Sequence, residues 1–218
     1  FGLDETFDGV LYVGYHAPAG NGGNPISHTS TGNSNQILLN GKVMSEFMLN
    51  TYTASSLGIP VLFLSGDEAV CRDARELAPQ IQVGLTLSLH DMQAVQAGGE
   101  PFAEEEWENE FTHYLPYIQN DDFLGVQNYT RSLFGPEGGM PSPEGAELTQ
   151  MNYEVYPEAL EHVIRKVAEN FKGTLLVTEN GIATDDDSRR VAFIEKALEG
   201  VQNCIQDGIP VKGYFHWS

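Results

Sequence analysis

Residues 176–182 read LVTENGI: an apolar run stops at a threonine, presents one glutamate, Glu179, and breaks at Asn-Gly. That is the pattern of a buried strand ending in a turn. A carboxylate so placed can attack an electrophilic carbon as a nucleophile, or it can cap the turn by accepting backbone N–H groups. Two aromatic residues elsewhere raise the same kind of choice. Tyr129, in VQNYT, is a phenol that needs a hydrogen-bond partner if buried, and Trp217, in GYFHWS, is either core packing or a platform for a flat ligand.

The elements that would position these residues follow a strand–helix grammar. The strand VLYVG covers 10–14, and a Gly/Asn/Ser-rich loop covers 18–35. QILLNGK places Asn40-Gly41 where a hairpin turn belongs, and Ser45 can cap a helix reaching Leu57. IPVLFLSGDEAVCRDARELAP reads as strand, turn and helix, with Asp67 near the helix start and Pro79 after its end. Further strands are expected at 83–89, 122–130, 174–180 and 211–217. A helix over 156–171 has Pro157 in its first turn and a stripe of Leu160, Val163, Ile164, Val167 and Phe171. A helix over 188–207 has a stripe of Val191, Ile194, Leu198, Val201 and Ile205, ending at Gly208. Residues 94–121 and 132–152 read as long loops. Buried-type strands alternating with amphipathic helices predict an α/β fold of parallel β/α units.

The 218 residues are 41% hydrophobic and 10% aromatic, enough for a substantial core. With 31 acidic against 11 basic residues, the net charge of −20 repels a phosphate backbone, so nucleic acid is not an expected partner. No run approaches the roughly 20 apolar residues of a membrane span, and no export signal is evident, so a cytoplasmic location with no membrane partner is expected. Cys71 and Cys204 fall far apart on helix-like patterns, which suits reduced, buried thiols. The chain starts without methionine and stops at GYFHWS, so both ends are expected to be cut.

From about Val83 to Ser218, the segments VGLTLSLHDMQAVQAGGE, DDFLGVQNYTR, GAELTQMNYEVYPEALE, LLVTENGIATDDD and GYFHWS resemble the retaining β-glucosidases of glycoside hydrolase family 1. The resemblance implies the last four strands of a (β/α)8 barrel, with site residues at the C-terminal strand ends. It implies Glu179 as the nucleophile, Tyr129 as the tyrosine that orients it, and Trp217 as a residue under the sugar at the cleaved position. Gln127 and Asn128 stand where many members have Asn and Tyr, so the sugar-binding support at Gln127 is a variant. The expected partner is a small-molecule β-glycoside, and no cofactor is required.

Residues 2–80 resemble a different family, through TFDGVLYVGYHAPAG, SHTSTGNSNQILLNGKVMSEFMLN and GIPVLFLSGDEAV. These are similar to the middle of the zinc D-aminopeptidases, oligomeric enzymes with a two-zinc site. That resemblance implies His16 and Glu46 as zinc ligands and His28 as a catalytic histidine. The family's other ligands lie in Asp-x-Glu and Asp-Ser-His motifs that do not occur in this sequence. Two donors are fewer than the three or four that zinc sites use, so weak or no zinc binding is expected.

The sequence therefore reads as a chimera: a D-aminopeptidase-like α/β segment over 1–82 and a β-glucosidase-like half-barrel over 83–218. Retaining hydrolysis uses two carboxyl groups about 5–5.5 Å apart, and the family's acid/base motif, Asn-Glu-Pro, does not occur in this sequence. Glu46, Asp67, Glu68 and Asp91 are stand-ins that spacing does not separate. The expected activity is β-glycoside hydrolysis with net retention, weak and favouring good leaving groups. The alternatives are a zinc aminopeptidase and a non-catalytic sugar-binding fragment. The exposed strand edges of an incomplete barrel also predict a homo-oligomer.

Overall fold

The computed structural model describes residues 2–21, 25–31, 33–77 and 81–217. The chain divides into two compact units, Phe1–Thr86 with Asp121–Phe123, and Leu87–Asn120 with Leu124–Ser218.

In the first unit, β1 (Val10–Tyr15) pairs in parallel with β4 (Val61–Gly66), which pairs in parallel with the start of β5 (Gln82–Ser88). The expected hairpin is present: β2 (Leu38–Leu39) and β3 (Lys42–Val43) flank Asn40 and Gly41. Both turn residues have positive φ, 51° and 78°, which a two-residue hairpin loop demands and which Asn-Gly tolerates. Helix α1 (Glu46–Ser56) starts at Ser45, whose buried hydroxyl accepts the Met48 N–H at 3.2 Å. Ser45→Ala is expected to lower stability by about 1 kcal/mol in urea unfolding, since one helix-end donor loses its partner. Helix α2 (Glu68–Leu77) follows β4, with Asp67 accepting the Val70 N–H at 3.0 Å. Pro79, expected after this helix, lies outside the described residues, as do parts of the 18–35 loop. Tyr12, Phe47, Leu64, Val70, Cys71, Ala74, Ile81 and Val83 form the core between strands and helices. Cys71 is a free thiol here, pushed up to about 12 chiefly by burial.

The second unit contains β7 (Phe123–Gln127) from Leu124 onward, β10 (Thr174–Asn180) and β11 (Val211–His216) in that order, with β10 and β11 parallel. Helix α5 (Ala159–Asn170) precedes β10, and α6 (Asp187–Gln206) leads to β11. Pro157 lies in a turn ahead of α5, with its carbonyl accepting the Leu160 N–H at 3.4 Å. The stripe expected on α5 is buried, with Phe171 serving as the C-cap residue. Cys204 is the second free, buried thiol.

Two expectations are corrected. The α6 stripe faces the core only in part: Val201 is buried and Ile194 half-buried, but Val191, Leu198 and Ile205 are exposed, and Phe193, Ala197, Gly200 and Cys204 are buried outside the expected stripe. The reason is close helix packing. A Cβ at Gly200 would stand 2.8 Å from Cβ of Glu161 on α5, so the approach to α5 is made at a glycine, which apolar periodicity does not register. The supposed loops at 94–121 and 132–152 are also substantially structured. They contain α3 (Glu100–Glu110), a 3-10 turn at Thr112–Tyr114, α4 (Leu115–Ile118), β8 (Arg131–Gly135) and β9 (Gly138–Met140). With β6 (Asp91–Ala94), β8 and β9 form a separate three-stranded sheet. Helix α3 buries only Ala103 and Trp107, a two-residue stripe too narrow to register as periodicity in an acidic segment. Among the described residues, no helix is long and apolar enough to cross a membrane.

Candidate active site

Glu179 is the penultimate residue of β10 and is half-buried. Its backbone carbonyl accepts the Asn128 N–H at 3.1 Å, which aligns the ends of β7 and β10. Tyr129, two residues beyond β7, then donates its hydroxyl to Glu179 Oε2 at 2.7 Å. Burial, and next the hydrogen bond to Glu179, raise the Tyr129 phenol above its ordinary value, so it remains a donor across the neutral range. A phenol that stays protonated beside a carboxylate holds that carboxylate in one rotamer. The turn-capping reading of Glu179 finds no support in its hydrogen bonds, because its partner is a side chain from another strand end.

Trp217 is 64% exposed, so the core-packing reading of this residue is overturned. Its N–H donates to the Asn180 carbonyl at 2.9 Å, which brings the end of β11 beside the end of β10. This approach needs the glycine of the Thr-Glu-Asn-Gly run: a Cβ at Gly181 would lie 1.8 Å from the Trp217 carbonyl oxygen. Gln127 ends β7 with a half-buried side chain, and its carbonyl accepts the Leu89 N–H at 2.8 Å.

Several polar residues of this unit were given no role from the sequence. Asn180 is fully buried; its Nδ2 donates to the Asn128 carbonyl at 2.7 Å, and its Oδ1 accepts the Tyr214 hydroxyl at 2.8 Å. Asn128, 2% exposed, donates to the carbonyls of Leu89 and Thr130. Arg131 makes a two-pronged ion pair with Glu154, at 3.0 and 2.7 Å, and its guanidinium lies 3.9 Å over the Tyr156 ring. One signal was available: asparagine is depleted in strands, so two of them at strand ends argue for side-chain hydrogen bonding. Asp91, one of the four stand-in carboxylates, is committed to the side sheet, with His162 Nδ1 at 2.7 Å and Gln93 Nε2 at 2.6 Å.

In the first unit, His16, His28 and Glu46 come together. The two imidazole rings are 5.4 Å apart, His28 Nε2 is 3.3 Å from Glu46 Oε2, and His16 Nδ1 is 3.8 Å from Asp67 Oδ2. His28 Nδ1 meets the Ile26 carbonyl at 2.9 Å, so both of its nitrogens face protein oxygens. Among the described residues no group of three or more His, Cys, Asp or Glu side chains is arranged to hold a metal ion. These residues on their own therefore do not fit the zinc centre that the resemblance implies.

The D-aminopeptidase family model matches residues 1–104, and the glycosyl hydrolase family 1 model matches residues 116–218. The two matches do not overlap. A D-aminopeptidase of Bacillus subtilis is 38% identical over 80 residues, covering 37% of this chain and 29% of that protein. A 1,4-beta-D-glucan glucohydrolase of Thermotoga neapolitana is 30% identical over 115 residues, covering 46% of this chain and 27% of that protein. The solved structure of beta-glucosidase 1317 is 45% identical with a TM-score of 0.62, covering 69% of this chain and 36% of that one. The chain thus spans about a third or less of the length of each. The 69% coverage exceeds what residues 116–218 supply, so the likeness to β-glucosidases begins upstream of residue 116. The fold is α/β with parallel β/α units, and its structural relatives are barrel β-glucosidases.

Proposed function

We propose that the chain hydrolyses β-glycosides with net retention, using Glu179 as the nucleophile. The observation that carries this reading is the 2.7 Å hydrogen bond from Tyr129 to Glu179 at the end of β10, in the part of the chain similar to glycosyl hydrolase family 1. In the first step a Glu179 carboxylate oxygen bonds to the anomeric carbon while the bond to the leaving-group oxygen breaks, and that group departs with the electron pair. In the second, water attacks the same carbon from the other face, the glycosyl ester breaks, Glu179 is regenerated and the water's proton passes to solvent. Two inversions give net retention. Trp217, exposed beside the strand end, offers a face on which a sugar ring can stack, and Gln127 supplies hydrogen bonds to it. With no Asn-Glu-Pro in the sequence, the first step favours leaving groups that depart as stable anions, and turnover of alkyl glycosides is slow.

The test is proton NMR of an aryl β-glucoside reaction, with and without a chelator. The β anomer is expected first, at a rate indifferent to chelator. An α anomer first would overturn the retaining assignment, and loss of activity with chelator would move attention to His16, His28 and Glu46. The second reading, a zinc aminopeptidase, rests on the match of residues 1–104 to the D-aminopeptidase family model and predicts chelator-sensitive release of D-amino acids from their amides. Sugar binding without turnover by wild type or by a Glu179 variant would favour the third, a non-catalytic sugar-binding fragment.

A further inference from the structure

We propose that Asn180 and Tyr214 are positioning residues for the Tyr129–Glu179 pair: one buried amide, bonded to the Asn128 carbonyl at one end and to the Tyr214 hydroxyl at the other, fixes the two strand ends on which the pair sits. The proposal rests on Glu179 being the nucleophile, but its geometry stands apart from that reading. Asn180 directly follows Glu179, and the carbonyl it binds, Asn128 O, directly precedes Tyr129. The backbone supplies a second tie on the same rung, from Asn128 N–H to the Glu179 carbonyl. Any slip of β7 against β10 therefore disrupts the hydrogen bond from Asn180 Nδ2 to the Asn128 carbonyl along with the 2.7 Å hydrogen bond between phenol and carboxylate.

The Asn128 carbonyl decides which way that amide points, and the Tyr214 hydroxyl holds its other end. A carbonyl only accepts, so Nδ2 faces Asn128 and Oδ1 is turned to the Tyr214 hydroxyl, which donates to it and completes the amide's bonding. Burial pushes the Tyr214 phenol up to about 12, which keeps the donor present throughout the neutral range. With Asn180 fully buried, no solvent is at hand to replace a lost partner. The clamp also draws β11 into the site, because Tyr214 lies in that strand opposite Val177 and the Trp217 N–H bonds to the same Asn180 through its carbonyl. A carboxylate held this way stays within the narrow range of positions from which attack on a carbon is productive, where displacements of about 1 Å are felt as large losses of rate.

The experiment compares wild type with Tyr214→Phe and Asn180→Asp by two readouts. The first is the NMR resonance of the Tyr129 hydroxyl proton, assigned by its disappearance in Tyr129→Phe. The second is turnover of an aryl β-glucoside. Tyr214→Phe is expected to shift or broaden the Tyr129 proton, although residue 214 is not its partner. It should lower kcat about tenfold while KM stays within about twofold, since it disturbs alignment and not sugar contacts. Asn180→Asp keeps an oxygen for Tyr214 and removes the donor to Asn128, so the same proton should move. A lower Tm with an unchanged Tyr129 resonance and unchanged kcat would reduce both residues to structural roles and overturn the proposal, as would absence of the resonance from wild type. If wild type shows no turnover but the resonance still moves in the variants, the clamp stands and the hydrolase reading falls. Should neither variant fold, wild type decides: the Tyr129 and Tyr214 hydroxyl protons are expected to exchange with water at matching rates, because the clamp opens as a unit. Independent exchange overturns it.

Discussion

Glu179→Gln is expected to lower turnover of an aryl β-glucoside at least about a thousandfold while leaving Tm within about a degree of wild type. The amide has nearly the shape of the carboxylate, and its oxygen can still accept the Tyr129 hydroxyl that sits 2.7 Å from Oε2. What it lacks is the charge and the nucleophilicity needed to form an ester to the anomeric carbon, so the two-step route closes. A thousandfold loss corresponds to about 4 kcal/mol of barrier, a usual size for removal of a covalent catalyst. The measurement is steady-state release of the aryl alcohol, with circular dichroism melting as the control. Equal turnover in the two proteins would dispose of Glu179 as nucleophile.

The second large effect is on stability. Glu154→Ala is expected to destabilise the protein by about 3 kcal/mol in urea unfolding, because it leaves the Arg131 guanidinium without its two-pronged partner. The side chains of Arg131 and Glu154 are only 16% and 11% exposed, so water does not readily make up the loss. Partial compensation remains from Gln93 Oε1, 3.0 Å from Arg131 Nη1, and from the Tyr156 ring beneath the guanidinium. Replacing both members with apolar residues of similar size, Arg131→Met with Glu154→Leu, should recover most of the loss, since no charge is then stranded. A Glu154→Ala loss under about 1 kcal/mol would mean that solvent reaches the pair after all.

The parts of the fold that announced themselves did so through chemistry local to a few residues. Asn40-Gly41 and Ser45 specify a hairpin turn and a helix start by φ preference and by a single capping oxygen, and both stand where the sequence places them. The α5 stripe was legible because its apolar residues are also its buried ones. On α6 the same reasoning held for Val201 but failed for Val191, Leu198 and Ile205, for the helix meets α5 at Gly200, and hydropathy does not weigh the absence of a side chain. The sheet of β6, β8 and β9 escaped notice because strands of three to five residues have too few alternations to read, and their pairing is set by contacts distant in sequence. Glu179 and Tyr129 were found through the resemblance, whereas their proximity is a fact of three-dimensional arrangement. Asn180 sat in plain view within the same four letters, but its partners, Asn128 and Tyr214, lie 52 and 34 residues away.

The clearance at Gly181 constrains how this strand end can change over time. With the Trp217 carbonyl oxygen occupying the volume a methyl group would need, any larger residue at 181 requires the backbone at 217 to move first, and that backbone is tied to Asn180. Positions 180, 181, 214 and 217 are therefore epistatic. Single replacements among them meet a barrier, and only coordinated replacements preserve the geometry of the neighbouring glutamate. Among variants selected for retained activity, substitutions at 181 should be rarer than at any exposed position of α6, and those that survive should carry a second change near residue 217.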